Sequence, residues 1–184
     1  MTDVVVVYHS GYGHTQRMAQ AVADGANAQL VAIDADGNLP PGGWERLQEA
    51  DAIIFGSPTY MGSVSWQFKK FADASSRQWF RQDWKDKLAA GFTNSAGMSG
   101  DKLSTLTTMF TLAMQHSMIW VSQGLMPSNT KAARRDNVNF LVSYSGAMAQ
   151  SPSDGGTNDM ARGDLETARL FGARVAQIAA RLQR

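Results

Sequence analysis

The sequence predicts an α/β fold: a five-stranded parallel sheet with helices on both faces. Three observations carry this expectation. Short β-branched runs alternate with segments of helical period along the chain. The runs are continuously apolar, as in strands covered on both faces. Loops of small residues follow several of them. Right-handed crossovers then place helices on both faces, and ligands bind outside the carboxyl ends of the strands.

Val4-Val5-Val6-Val7-Tyr8 is the first strand. Gly11 and Gly13 follow it, and Thr15, Met18, Ala19, Val22 and Ala26 then mark one face of a helix. Leu30 to Ile33 is the second strand. Asp36-Gly37-Asn38 and Pro40-Pro41-Gly42-Gly43 are turn chemistry, and Trp44 to Glu49 fits a short helix. Ala52 to Gly56 is the third strand. Ser65 is placed to cap the next helix, with Phe68, Phe71, Ala72 and Ser75 along its inner face. Leu88 to Thr93 is the fourth strand. Leu103, Leu106, Thr107, Phe110, Met114 and Ser117 form a helical stripe expected to face the core. Met118 to Val121 is the fifth strand, which Phe140-Leu141-Val142 extends or follows. Ala168, Phe171, Gly172, Val175, Ile178 and Leu182 mark the last helix, with Asp164 as its cap. Residues 123–163 form an irregular excursion with two readings, a functional loop or a surface and subunit contact.

The chain has 184 residues, which fits one domain over 1–184. Its net charge of +1 gives no sign of nucleic acid or of an anionic membrane surface as partner. It has no cysteine, which removes disulfides, thiolate metal sites and cysteine nucleophiles; no metal site is expected. No apolar run approaches a membrane span, and Val4 to Val7 is too short for a signal-peptide core. The expected location is cytoplasmic. Charged residues are only 18% of the chain, below the usual quarter, which points to surface hidden between subunits.

Three loops at the same sheet edge hold the candidate chemistry. Ser10-Gly11-Tyr12-Gly13-His14-Thr15 opens a helix after the first strand. Loop and helix-start N–H groups, with the Ser10 and Thr15 hydroxyls, suit a phosphate monoester. No lysine follows the glycines, so the nucleotide-triphosphate loop pattern fails, and GxGxxG fails as well. Pro58-Thr59-Tyr60-Met61-Gly62 offers an aromatic and a thioether wall after the third strand. Asn94-Ser95-Ala96-Gly97-Met98-Ser99 follows the fourth and suits the polar edge of a heterocycle. Each loop also fits a purely structural turn. Lys131, Arg134 and Arg135 fit a solvated charge cluster better than a nucleotide site, and Trp84 and Trp120 fit packing.

With Tyr8 to Thr15, Ile53 to Gly62 and the helix end Leu112 to Met118, nearly the whole chain resembles the flavodoxin-like superfamily. More closely it resembles the WrbA-type NAD(P)H:quinone oxidoreductases. The resemblance implies a flavodoxin-like three-layer sandwich and non-covalent FMN. It implies that Ser10, Gly11, Tyr12, Gly13, His14 and Thr15 hold the FMN phosphate. Pro58, Thr59, Tyr60, Met61 and Gly62 would line the ribityl chain and ring, and Asn94, Ser95, Ala96, Gly97, Met98 and Ser99 its polar edge. His116 matches a histidine that approaches the flavin, often from a neighbouring subunit. By its position near a helix end it also fits a dipole partner. Tyr12 and Trp79 match aromatics near the nicotinamide and quinone pocket. The implied reaction takes two electrons from NADH or NADPH to a quinone, with His116 as a proton donor to the hydroquinone. The implied assembly is a homodimer or homotetramer, the tetramer favoured. Other acceptors (azo, nitro or free flavin) and a flavodoxin-type electron carrier stay open. Tyr60-Met61 stands where many members carry Arg-Phe.

Overall fold

The computed structural model describes residues 2–182. Its sheet has the parallel order β2-β1-β3-β5 with β6 and β7 at the edge. The strands are β1 (Val4–His9), β2 (Gln29–Ile33), β3 (Ala52–Tyr60), β4 (Ser63–Val64), β5 (Leu88–Ser95), β6 (Ile119–Trp120) and β7 (Ala147–Gln150). The helices are α1 (His14–Ala26), α2 (Gly43–Glu49), α3 (Trp66–Ala74), α4 (Ser76–Arg81), α5 (Lys102–Gln115) and α6 (Arg162–Leu182).

Strand periodicity divides the core in two. Val4, Val6 and Tyr8, with Ile54 and Phe92, face α1 and α6. Val5 and Val7, with Ile53 and Phe55, face α2, α3 and α5. Each fully buried Val, Ile or Phe contributes about 1.5–3 kcal/mol by leaving water. The runs are continuous because both parities are buried. The α1 face is the expected one, and Ser65 caps α3 by accepting a hydrogen bond from the Phe68 N–H.

The fifth strand position is shared. Leu88 and Ala89 of β5 pair with Ile119 and Trp120 of β6, whereas Phe92 to Ser95 pair with Ala147 to Gln150 of β7. Residues 121–146 leave the sheet between the two halves. Phe140-Leu141-Val142 is therefore a turn and not strand, with Asn139 and Val142 at positive φ. The Asn139 side chain fixes that turn: its amide donates to Leu125 O and its oxygen accepts from the Ser143 N–H.

The α5 stripe is the second correction. Its buried face is Lys102, Thr105, Leu106, Met109 and Ala113. Leu103, Phe110 and Met114 are exposed and, with Thr107, lie on the outer side. The helix carries apolar residues around its circumference, so its sequence does not set its phase.

Asp164 lies inside α6 and is buried. It accepts from both terminal nitrogens of Arg135 and from the Gln150 N–H. Arg135 is thus a structural partner and no part of a solvated cluster; Asp164 lifts its pKa further by hydrogen bonding. Among the described residues no helix is long and apolar enough to cross a membrane.

Candidate functional site

The carboxyl edge of the sheet carries a cleft of about 510 Å³, within the usual range for small-molecule sites. Four segments wall it, one at the carboxyl end of each of β1, β3, β5 and β7.

The first segment is the β1–α1 loop. The Ser10 hydroxyl accepts from the Gly13 and Gln16 N–H groups, both at 3.1 Å, and so folds the loop around the start of α1. Gly13 takes φ 89°, the left-handed region glycine enters without strain. The first-turn N–H groups of His14 and Thr15 have no preceding helical carbonyl, so they and the helix dipole present positive potential. Thr15 is buried and lines the cleft. The His14 ring Nε2 lies 3.1 Å from Gly155 O, which ties this loop to the fourth segment.

The second segment is a hairpin. Thr59 pairs with Val64 and Tyr60 with Ser63, leaving Met61-Gly62 as a two-residue turn. Both turn residues have positive φ, 47° and 76°, as a type I′ turn requires. Tyr60 reaches back over the β1–α1 loop: a β-carbon on Gly11 would stand 2.6 Å from its hydroxyl. Tyr12 meets Tyr60 edge to face at 6.4 Å. Burial pushes the Tyr60 phenol pKa up, and Tyr12 adds to the shift.

The third segment follows β5. The buried Asn94 donates from Nδ2 to Ser151 Oγ at 2.8 Å. Its Oδ1 is buried and has no hydrogen-bond partner among the described residues. Gln150 Nε2 donates to Ala96 O, and Lys102 Nζ donates to Ser95 Oγ and to Gly97 O. The fourth segment, Ser151 to Gly156, closes the cleft beyond β7, and the Ser151 N–H donates to Ser95 O.

These features fit FMN. His14 and Thr15 of the first turn of α1 line the cleft, the buried Asn94 Oδ1 on its wall has no partner among the described residues, and Tyr60 packs over Gly11, where a β-carbon would stand 2.6 Å from its hydroxyl.

Residues 44–132 match the family model described as NADPH-dependent FMN reductase. The chain is 57% identical over 182 residues to "Flavodoxin FldP" of Pseudomonas aeruginosa, covering 99% of both chains. It is 31% identical over 201 residues to an NAD(P)H dehydrogenase (quinone) of Paracoccus denitrificans, covering 99% and 96%. The crystal structure of a flavodoxin, WrbA-like protein from Agrobacterium tumefaciens superposes with a TM-score of 0.83 at 55% identity, over 98% and 99% of the two chains. The chain belongs to the flavodoxin-like, WrbA-type family.

Within this WrbA-type fold, Tyr12, His14, Thr15, Pro58, Thr59, Tyr60, Asn94, Ser95 and Ala96 come together on the cleft wall. Ser10, Gly11 and Gly13 are outside the lining; Ser10 holds the loop through the Gly13 and Gln16 N–H groups, and Gly13 borders a separate groove beside Arg17 and Arg169. Met61 is fully exposed at the hairpin tip, and Met61 and Gly62 are outside the lining. Gly97 is turned toward Lys102, and Met98 and Ser99 line a separate groove beside α5.

His116 and Trp79 are not on this cleft. His116 ends α5, which starts at the carboxyl edge and runs about 20 Å back to the amino edge at 1.5 Å per residue. There it shares a small pocket with Trp79 and Phe80. Its ring packs on Trp84 at 4.2 Å, and Nε2 is 2.8 Å from Ser75 Oγ. Ser75 gives its proton to Ala72 O, so the hydroxyl accepts and His116 carries its proton on Nε2. Burial lowers its pKa to about 4.

Ser151, Pro152, Ser153, Gly155 and Gly156 were not among the sequence-expected residues. Their signal is the run Ser-Pro-Ser-Asp-Gly-Gly, the same small-residue chemistry as the other three loops. Only the four-residue β7 precedes it, too short to stand out as a strand.

Proposed function

We propose that this protein binds FMN in the carboxyl-edge cleft and carries two electrons from NADH or NADPH to a quinone. The observation that carries this reading is the meeting of four strand-end segments around one cleft whose lining includes the first two residues of α1. When bound, FMN supplies the redox chemistry, and the protein supplies binding, orientation and electrostatics. The N–H groups of His14 and Thr15, with the Thr15 hydroxyl, hold the phosphate. The Asn94 Oδ1 accepts from a ligand donor. Tyr12, exposed at the mouth, gives a flat face for the nicotinamide and then for the quinone. One face serving both partners predicts ping-pong kinetics.

His116 and Trp79 reach a cleft only across a subunit boundary. The exposed Leu103, Phe110 and Met114 of α5 support a homodimer or homotetramer. A neutral His116 at pH 7 acts there as a positioning or packing group, since its pKa lies too low for it to supply a proton.

The test is anaerobic. Protein saturated with FMN and freed of excess is mixed with NADH or NADPH, and the flavin band is followed. Bleaching, then recovery on adding benzoquinone, is the expected result; azo, nitro and free-flavin acceptors are compared in the same assay. The second reading is an electron carrier, favoured by the flavodoxin name of the 57%-identical relative. Retained flavin that NADH and NADPH leave oxidised decides for it.

A further inference from the structure

Lys102 is 1% exposed and makes no ion pair among the described residues. A buried ammonium without a carboxylate is costly, and the cost falls when an anion lies nearby. Its hydrogen bonds all point one way. Nζ donates to Ser95 Oγ at 3.1 Å and to Gly97 O at 2.5 Å, on the rear of the loop whose Ser95 and Ala96 form the cleft wall. Two charged groups face it from other elements, Asp164 of α6 and Arg135 of the excursion, and they are bonded to each other. They leave the ammonium without a counter-ion of its own.

We propose that Lys102 is a positioning residue that fixes the β5–α5 wall and supplies a standing positive charge behind it, favouring the anionic reduced form of a flavin in the cleft. The proposal rests on the reading that FMN occupies that cleft. A hydride from NADH or NADPH brings two electrons and one proton to FMN and leaves one negative charge on the ring. A cation fixed behind the wall lowers the energy of that state more than that of the neutral oxidised ring. The two-electron couple then moves toward more positive potential, which suits an acceptor of hydride. Burial depresses the Lys102 pKa to about 8, as expected of an ammonium still waiting for its anion.

The experiment measures the two-electron midpoint potential of FMN-reconstituted wild type, Lys102→Met and Lys102→Arg by dye-equilibrated titration at pH 7. K102M is expected to bind reduced FMN about tenfold less tightly relative to oxidised FMN, a fall of about 30 mV. K102R is expected to hold the wild-type value. An unchanged potential in K102M that retains FMN overturns the proposal and leaves the cleft reading intact, because oxidised and reduced forms are then held alike. A wild type that retains no FMN at high protein concentration overturns both. If K102M does not fold, Lys102→Gln is measured in its place; a similar fall is expected, and an unchanged potential with FMN retained overturns the proposal.

Discussion

The Tyr60 hydroxyl lies over the α-carbon of Gly11, so close that a β-carbon there would stand 2.6 Å away. This contact joins the β1–α1 loop to the β3–β4 hairpin and sets the width of the cleft between them. Gly11→Ala must push the tyrosine outward. The obstacle is the tip of an exposed side chain, so the shift costs about 1 kcal/mol or less, or up to roughly a fivefold loss of FMN affinity if the strain falls on the bound geometry. Tyr60→Phe removes the opposing atom. G11A/Y60F is therefore expected to recover much of the affinity lost in G11A, and fluorescence titration of FMN in the four proteins of the cycle measures the coupling. Additive losses would show that the two residues act apart.

Much of this frame is legible in the residues. Val4 to Tyr8 announces a two-faced strand because both parities are apolar, and Ser65 announces a helix start because its hydroxyl can take the Phe68 N–H. The loops after β1, β3 and β5 stand out by small-residue content. Three things were hidden. The phase of α5 was hidden because Leu103, Phe110 and Met114 are as apolar as the residues that pack. The second half of the fifth strand was hidden because Ala147 to Gln150 pairs with β5 across 26 intervening residues, a contact no local pattern encodes. The place of His116 was hidden because helix length, not motif, decides which sheet edge it reaches.

His116 makes stability depend on pH. Its pKa is about 4 in the fold and about 6.5 when unfolded. Below pH 6.5 the unfolded chain binds a proton that the fold refuses, so stability falls as pH drops from 6.5 toward 4 and levels off below. The shift corresponds to roughly 2–3 kcal/mol over that window. His9 is depressed in the same direction by burial, so the readout is the difference between proteins. Urea unfolding of wild type and His116→Gln from pH 4 to 8 is expected to show a shallower decline in the variant. Parallel curves would mean that His116 is not the titrating group.

The angle of α1, and with it the aim of its N-terminus at the cleft, rests on two glycines. Gly172 of α6 sits against Val22 O, where a β-carbon would come within 2.0 Å, and Gly25 of α1 sits against Arg169 O, within 1.8 Å. Both obstacles are backbone, so no side chain can turn away. Gly172→Ala is expected to cost about 3 kcal/mol or more, lowering Tm by roughly 6–12 °C in a chain of this size. Gly25→Ala should do the same. Because one separation of the helices relieves both clashes, the double variant should cost less than the sum. Thermal melts of the three proteins give the answer, and strict additivity would rule out a shared crossing point.

Thr59 lines the cleft while its hydroxyl anchors the hairpin behind it. Oγ1 lies 2.8 Å from Thr93 Oγ1 of β5 and 2.8 Å from Thr105 Oγ1 of α5. The hydroxyls of Thr93 and Thr105 are fully buried. Thr59→Val keeps the shape and removes the shared partner, leaving two polar groups facing a methyl. A buried polar group left unsatisfied costs about 1–3 kcal/mol, and the variant is expected to lose an amount in that range. Replacing all three threonines by valine removes the polar groups together. The triple variant is therefore expected to be more stable than T59V alone, although it carries more substitutions. Chemical denaturation of wild type, T59V and the triple variant orders the three. A triple variant less stable than T59V would mean that packing, not hydrogen bonding, holds the hairpin to β5 and α5.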